Sequence, residues 1–286
     1  MDSTNQWHIE VTEQDANPVA ILADESGLSH QTIKQAMQKG CVWHSRGKHT
    51  QRLRRSKKKL QRGDVVHCYY NPRVLATEVE PALLVDDQGD FSVWFKPYGM
   101  VCQGSKWGDH TTINRFAEQY LQPQRPAFIV HRLDKATTGL VVVAHTKAAA
   151  RQLSSAFEQR LTEKTYQAIV SRAWSFKQPQ ISVTEPIDEK NATSHVTLIA
   201  NDRVANRALV SVDIETGRKH QIRKHLASLG IPIVGDRLYG QQQFEIPDTA
   251  VQQRCDLQLR AVRLQFPFDG RNHHYQLTKQ QCLHLS

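Results

Sequence analysis

The chain has 286 residues, 39% of them hydrophobic, with 37 Lys and Arg against 28 Asp and Glu. That length suits one large domain, or one large and one small, and no stretch approaches the ~20 apolar residues of a membrane helix. The net charge of +9 favours encounter with polyanions, although the same charge also serves plain solubility.

The first segment, MDSTNQWHIEVTEQD, has neither the basic start nor the apolar core of a secretory leader, and a cytoplasmic protein is expected. Ser29 is placed to cap a helix in which Ile33, Ala36 and Met37 recur at helical spacing, and Gly40 to end it. Cys41-Val42-Trp43 reads as a short strand. A basic loop follows, carrying Arg46, Lys48, Arg52, Arg54, Arg55, Lys57, Lys58, Lys59 and Arg62, with no acidic residue between Ser45 and Asp64. Gly63-Asp64 makes a turn into a second strand, Val65 to Tyr70. These elements form a small module over residues 1–75. Residues 76–89 are expected to be a linker, with Pro72 and Pro81 discouraging continuous helix.

From residue 90 to 286 the pattern alternates. Phe91–Phe95, Gly139–Ala144, Tyr166–Val170, Leu209–Ile214, Leu257–Leu264 and His274–Leu277 read as strands, and the second is apolar enough for a central position. Lys147–Gln159 and Gln221–Ser228 read as helices, the latter closed by Gly230. The mixture predicts an α+β domain on a largely antiparallel sheet. Five scattered cysteines without a CxxC pair, and histidines without HExxH spacing, support neither a disulfide framework nor a metal site.

The most informative segment is HRLDKATTGLVVVA, residues 131–144. It sets Asp134 in a polar loop directly before a buried strand, which anchors the carboxylate on a rigid element. Cations within ~4–6 Å, for which Arg132 and Lys135 are the nearest in sequence, favour the ionised form. Such a carboxylate can attack a sugar or stabilise positive charge on it. By itself Arg-Leu-Asp is more often a surface ion pair or a helix cap.

Four ordered segments change that balance. HRLDKATTGLVVVA resembles the HRLDxxTSGLLLxA signature of the RluA-like pseudouridine synthases. Lys96-Pro97-Tyr98-Gly99 resembles the family's KPxG turn, and Lys164-Thr165-Tyr166-Gln167-Ala168 its KxYxA segment. Residues 216–226, TGRKHQIRKHL, are similar to TGRxHQIRxHL, and residues 230–240 continue to GDRLYG. Thr138 stands where Ser is usual, and Arg260 where His is usual. The N-terminal order of helix, strand, basic insertion and return strand loosely resembles an S4-type RNA-binding domain.

The resemblance implies isomerisation of uridine to pseudouridine in structured RNA, ribosomal RNA favoured over transfer RNA. It implies Asp134 as catalytic carboxylate, Tyr166 stacked on the target base, and Arg223 paired with Asp134. Arg132, Ile222, Gly217, Arg218, His220 and Gln221 would bind substrate, Arg132 filling the space left by the extruded base or holding phosphate, with a plain ion pair to Asp134 as its alternative. Of the basic run, Arg46, Lys48, Arg52, Arg54, Arg55, Lys57, Lys58 and Lys59 would bind RNA phosphates. The Gly235–Gly240 segment is expected to be mainly structural. The reaction is redox-neutral, so no metal or small-molecule cofactor is expected, and a monomer is the default. A non-catalytic RNA-binding protein and a glycosidase using Asp134 are the alternatives; the second would need a second carboxylate to activate water.

Overall fold

The computed structural model describes residues 4–240 and 255–285. The chain forms two units, Met1–Val79 with Gln103–Phe116, and Glu80–Cys102 with Ala117–Ser286. In the first, β1 (Asn5–Glu10) is followed by helices α1 (Pro18–Ser26) and α2 (His30–Lys39), strands β2 (Val42–Arg46), β3 (His49–Arg52) and β4 (Val65–Tyr70), and one helical turn, α3 (Pro72–Leu75). The strands make an antiparallel sheet in the order β1-β4-β2-β3.

Local chemistry explains the helices. The Asn17 side chain accepts from the Val19 N–H ahead of α1, with Pro18 in the first turn. Ser29 caps α2 at Thr32, and Gly40 closes it at φ 82°, where a side chain would be strained. Ile33, Ala36 and Met37 then face a core with Leu22, Val42, Leu53, Leu60 and Val66. The predicted basic loop is in part a hairpin. Gly47, at φ 56°, allows the turn from β2 into β3.

The second unit holds β5 (Leu83–Asp87), β6 (Phe91–Lys96), β7 (Phe128–Ile129), β8 (Thr138–Ala144), α5 (Lys147–Glu158), β9 (Glu163–Val170), β10 (Gln180–Val183), β11 (Ser194–Asp202), β12 (Arg207–Ile214), α6 (Gln221–Ser228), β13 (Leu259–Phe268) and β14 (Arg271–Gln276). A further helix, α4 (Ile113–Tyr120), has its first half counted in the first unit and its second half in this one. The sheet runs β10-β11-β12-β9-β13-β8-β6-β5, with β14 on β13 and β7 on β8. Only β8 and β13 pair in parallel among the described strands. This is the α+β, largely antiparallel arrangement expected.

The expected linker at 76–89 is corrected here. Leu83–Asp87 pairs with β6 through a hairpin turning at Gly89, and residues 103–116 return to the first unit. Two prolines masked a strand that starts only two residues after Pro81.

Strand β8 is buried from Gly139 to Ala144, which accounts for its continuous apolar sequence. Its core partners are Phe91, Val93, Leu264 and Phe266, with Ala149 and Leu153 of α5 packed on them. Gly139 sits at φ 108°, and a Cβ there would run into the Ala261 carbonyl. The close β8–β13 approach therefore demands glycine.

Candidate active site

The sheet register brings the matched segments together. Tyr166 of β9 lies opposite Ala261 of β13, which lies opposite Gly139 of β8. With neighbouring strands ~4.8 Å apart, Tyr166 stands only two strands from the start of β8, where the Asp134 loop enters. Leu133, Asp134, Tyr166, Gly217, Ile222 and Arg223 line one pocket, and Arg132, Arg218, His220 and Gln221 join them there.

Three contacts hold the loop that carries Asp134. Cys102 Sγ accepts the Leu133 N–H at 3.2 Å. Gly99 N–H donates to the Lys135 carbonyl at 3.0 Å. Lys96, wholly buried, donates to the carbonyls of Met100 (2.8 Å) and Pro97 (3.1 Å), with that of Lys135 at 3.4 Å. Burial pushes the Lys96 ammonium down to about 8. The KPYG turn is thus a brace for the residue after Asp134. His131 is a second brace: it accepts the Val142 N–H at Nε2 (3.0 Å) and stacks on Phe157 at 4.3 Å. Desolvation pushes it down to about 3, in keeping with a neutral ring that accepts.

Arg223 departs from the expected geometry. Its tight partner is Asp236, reached from Nε and Nη2 at 2.7 Å each, and the Asp236 side chain has no solvent exposure. Nη1 remains, and it lies 4.0 Å from Asp134 Oδ2. The pair with Asp134 is therefore the looser one. Burial opposes the Asp236 charge, but the Arg223 hydrogen bonds and the N–H groups of Leu238 and Tyr239 win and hold its carboxyl below the usual range. The Tyr239 ring lies 5.1 Å from the guanidinium.

His220 completes this side. Its backbone is left-handed, at φ 56°, ahead of α6. Nδ1 meets the Tyr239 hydroxyl at 2.9 Å and Nε2 lies 3.9 Å from Asp134 Oδ1. Asp236 and Tyr239 belong to the segment expected to be mainly structural, and their contacts hold Arg223 and His220 beside Asp134. The available signal was chemical: an arginine on a buried helix needs a buried carboxylate, and GDRLYG offers one.

The remaining expected residues divide. Ile222 is buried at the pocket wall. Tyr166 is buried, which with the nearby Asp134 charge raises its pKa, and its hydroxyl has no hydrogen-bond partner among the described residues. Gly217 has open space where a Cβ would stand. Gln221 is spent internally, on Thr216, the Arg218 N–H, the Thr193 carbonyl and Ser194. Its helical neighbour His225 also bonds Ser194, at 2.9 Å, as their shared face requires. Arg218 donates from Nε to the Asn191 carbonyl. Arg132 is exposed and pairs with no carboxylate among the described residues. Among these residues no group of His, Cys, Asp or Glu could hold a metal ion.

The two departures from the family signature touch each other. Arg260 Nε donates to the Thr138 hydroxyl at 3.1 Å, and the guanidinium also meets the Gln281 carbonyl and lies 5.5 Å from the Phe95 ring. Arg260 therefore serves packing.

Comparison with known proteins agrees with this geometry. The RNA pseudouridylate synthase family pattern matches residues 90–228. An uncharacterised RNA pseudouridine synthase of Aquifex aeolicus is 30% identical, the match covering 77% of this chain and 75% of that one. The chain belongs to the RNA pseudouridine synthase family. Another synthase it resembles, the dual-specificity RNA pseudouridine synthase RluA of Escherichia coli O157:H7, is 33% identical over 59% of this chain and 80% of its own. Ribosomal large subunit pseudouridine synthase D of Yersinia pestis is 36% identical, over 56% of this chain and 53% of its own. The human RNA pseudouridylate synthase domain containing 1 shares the synthase fold, with a TM-score of 0.57 at 22% identity over 71% of this chain and 85% of that one.

In the basic run, the expected phosphate ligands divide as well. Arg46 makes two hydrogen bonds to buried Asp64, at 2.7 and 2.9 Å. Arg52 and Arg54 both pair with Asp109. Lys58 Nζ meets His44 at 3.1 Å. Lys48, Arg55, Lys57 and Lys59 are exposed and form no ion pair among the described residues.

Proposed function

We propose that this chain isomerises uridine to pseudouridine in structured RNA, ribosomal RNA before transfer RNA, with Asp134 as the carboxylate that opens the reaction. The observation that carries this is the placement of Asp134 in a pocket walled by Tyr166 and Ile222, with Arg223 Nη1 at 4.0 Å. The target uridine is extruded into that pocket. Asp134 then acts on its ribose, by attack or by deprotonation, and the N1–C1′ bond breaks. The uracil turns and C5 bonds to C1′, displacing Asp134 if it had attacked, or with the ribose proton returned if Asp134 had taken it; the proton on C5 leaves and N1 gains one. Burial keeps Tyr166 as the phenol, and its ring stacks on the base. Arg223, fixed by Asp236, orients the carboxylate. The open space at Gly217 leaves room for the RNA backbone. Arg132 stands free at the same pocket to hold phosphate or fill the vacated stack.

The first unit is read as an S4-like RNA-binding module, on its order of capped helix, strand and basic hairpin, in a monomer working in the cytoplasm. That reading, with the relative named for the ribosomal large subunit, supports ribosomal RNA. The test is tritium release from C5-labelled uridine in RNA of cells lacking the protein, ribosomal and transfer RNA separately. Wild type should release tritium. Asp134→Asn should fall on the order of 10³-fold or more at unchanged melting temperature. Equal release by the two would remove Asp134 from the chemistry.

A further inference from the structure

One face of the first unit's sheet packs on its helices, and the other carries aromatic side chains where a solvent-facing sheet is ordinarily polar. The register sets His8, His67, Trp43 and Arg52 directly across from one another through β1, β4, β2 and β3. Tyr69 stands on the same face, two residues beyond His67, with the two rings stacked at 6.4 Å and 12°. Trp107 meets Tyr69 edge-on at 5.9 Å. Lys106 is exposed, lies 4.8 Å from the Tyr69 ring and 5.0 Å from that of Trp107, and pairs with no carboxylate among the described residues. The Trp43 indole donates to the Lys106 carbonyl at 3.1 Å, so residues 105–107 are fixed on this face.

We infer that this face is a stacking platform for single-stranded RNA, separate from the exposed lysines of the basic run. His8 is exposed, and His67, Tyr69, Trp43 and Trp107 are half-buried, with the Arg52 guanidinium 4.3 Å from the Trp43 ring and the Lys106 ammonium over Tyr69 and Trp107. Rigid rings beside an unpaired cation are the combination by which proteins hold unpaired bases, because every base has a π-face and every nucleotide a phosphate. Charge agrees: the first unit carries 14 Lys and Arg against nine Asp and Glu. A packed aromatic cluster that merely seats residues 105–107 would not need the exposed His8, and Lys106, whose ammonium donates to the Gln6 side-chain oxygen at 3.2 Å, keeps its charge unneutralised among the described residues. The inference rests on the RNA-synthase reading for its choice of ligand, and it adds a place for unpaired nucleotides outside the pocket.

The two kinds of contact differ in how they answer salt. Loss of a stacked ring lowers affinity without changing the number of counterions released, whereas loss of a phosphate contact lowers the salt slope. Binding of a short oligouridylate to the full chain is therefore measured across salt, by labelled-RNA titration and by tryptophan emission. Tyr69→Ala should weaken binding roughly tenfold at unchanged salt slope, with Tyr69→Phe close to wild type. Tryptophan emission should be quenched by the RNA, and less so in Trp107→Phe. His8→Ala, at an exposed position, should weaken binding a few-fold and covers the case in which Tyr69→Ala fails to fold. Unchanged affinity in His8→Ala and in folded Tyr69→Ala, with no quenching, would overturn the platform and leave the face to a protein partner. Tritium release reports on the synthase reading separately. A wild-type protein that binds oligouridylate through Tyr69 yet releases no tritium keeps the platform and sinks the enzyme.

Discussion

The pocket of the second unit and the basic hairpin of the first both rest on arginine–aspartate pairs, and they use them to opposite ends. In the pocket, Arg223 spends two nitrogens on a fully buried Asp236 and keeps the third facing Asp134. The pair fixes a direction. In the hairpin, Arg46 is tied to Asp64, and Arg52 and Arg54 share Asp109, so three of the eight expected phosphate ligands already stand in ion pairs, on two carboxylates between them. A guanidinium in a sequence counts toward a ligand only after the carboxylates that fold against it have been subtracted.

The largest effect that would break this comparison is at Asp236. Asp236→Ala leaves Arg223 buried without its partner, which should cost about 3–5 kcal/mol of stability. Asp236→Asn keeps the volume and one acceptor, and should keep more of the fold while losing most tritium release below its melting temperature. Full activity in folded Asp236→Asn would mean that Arg223 needs no fixing.

Acid should test the hairpin's version of the same pair. The Arg46 hydrogen bonds and the Gln61 N–H, working against burial, hold the Asp64 carboxyl well below the usual carboxylate range. A depressed folded pKa gives stability that is complete above the unfolded value of about 4. It is lost as pH falls from there through the folded value. Asp236 is depressed too and adds to the same acid loss. Melting temperature followed downward from about pH 5 should therefore fall in wild type, and fall less steeply in Asp64→Asn, which has no proton to gain there. Identical slopes would show that the Asp64 pair adds nothing to folding.

How far each region could be read in the sequence follows from where its partners lie. Strand β8 was legible because burial on both faces leaves an unbroken apolar run, and α2 because Ser29 and Gly40 bracket a helical repeat. The ordered motifs gave the pocket, since Asp134, Tyr166 and Arg223 all line it. What periodicity could not supply was the depth of the Arg223 pair, because Asp236 lies 13 residues on, past the end of α6. Asp109 is further still, 55 residues from Arg54, in a segment that returns to the first unit after β6. Strand β5 was read as linker because proline rules weigh local backbone, while its pairing with β6 depends on the Gly89 turn. Trp7 and Ile9 did alternate, yet β1 is a six-residue edge strand whose partner β4 comes more than 50 residues later.

The smallest effect sharpens the comparison most, because it separates exposed cations from committed ones within a single run. Replacing Arg55, Lys57 and Lys59 together with Ala should lower the slope of log affinity against log salt by roughly 2–3, one counterion per lost phosphate contact. The fold should be untouched, since none of the three is in an ion pair among the described residues. Replacing Arg52 and Arg54 should do the reverse. Asp109 is buried and loses both cations, so stability falls, while the salt slope stays near wild type. The two variants differ by only one charge, so net charge alone predicts nearly equal slopes for both. Equal slopes would mean that Arg52 and Arg54 leave Asp109 to reach phosphate when RNA binds. Unequal slopes, with the loss in the exposed trio, would show that ion pairs formed in folding decide which of the basic residues an RNA can use.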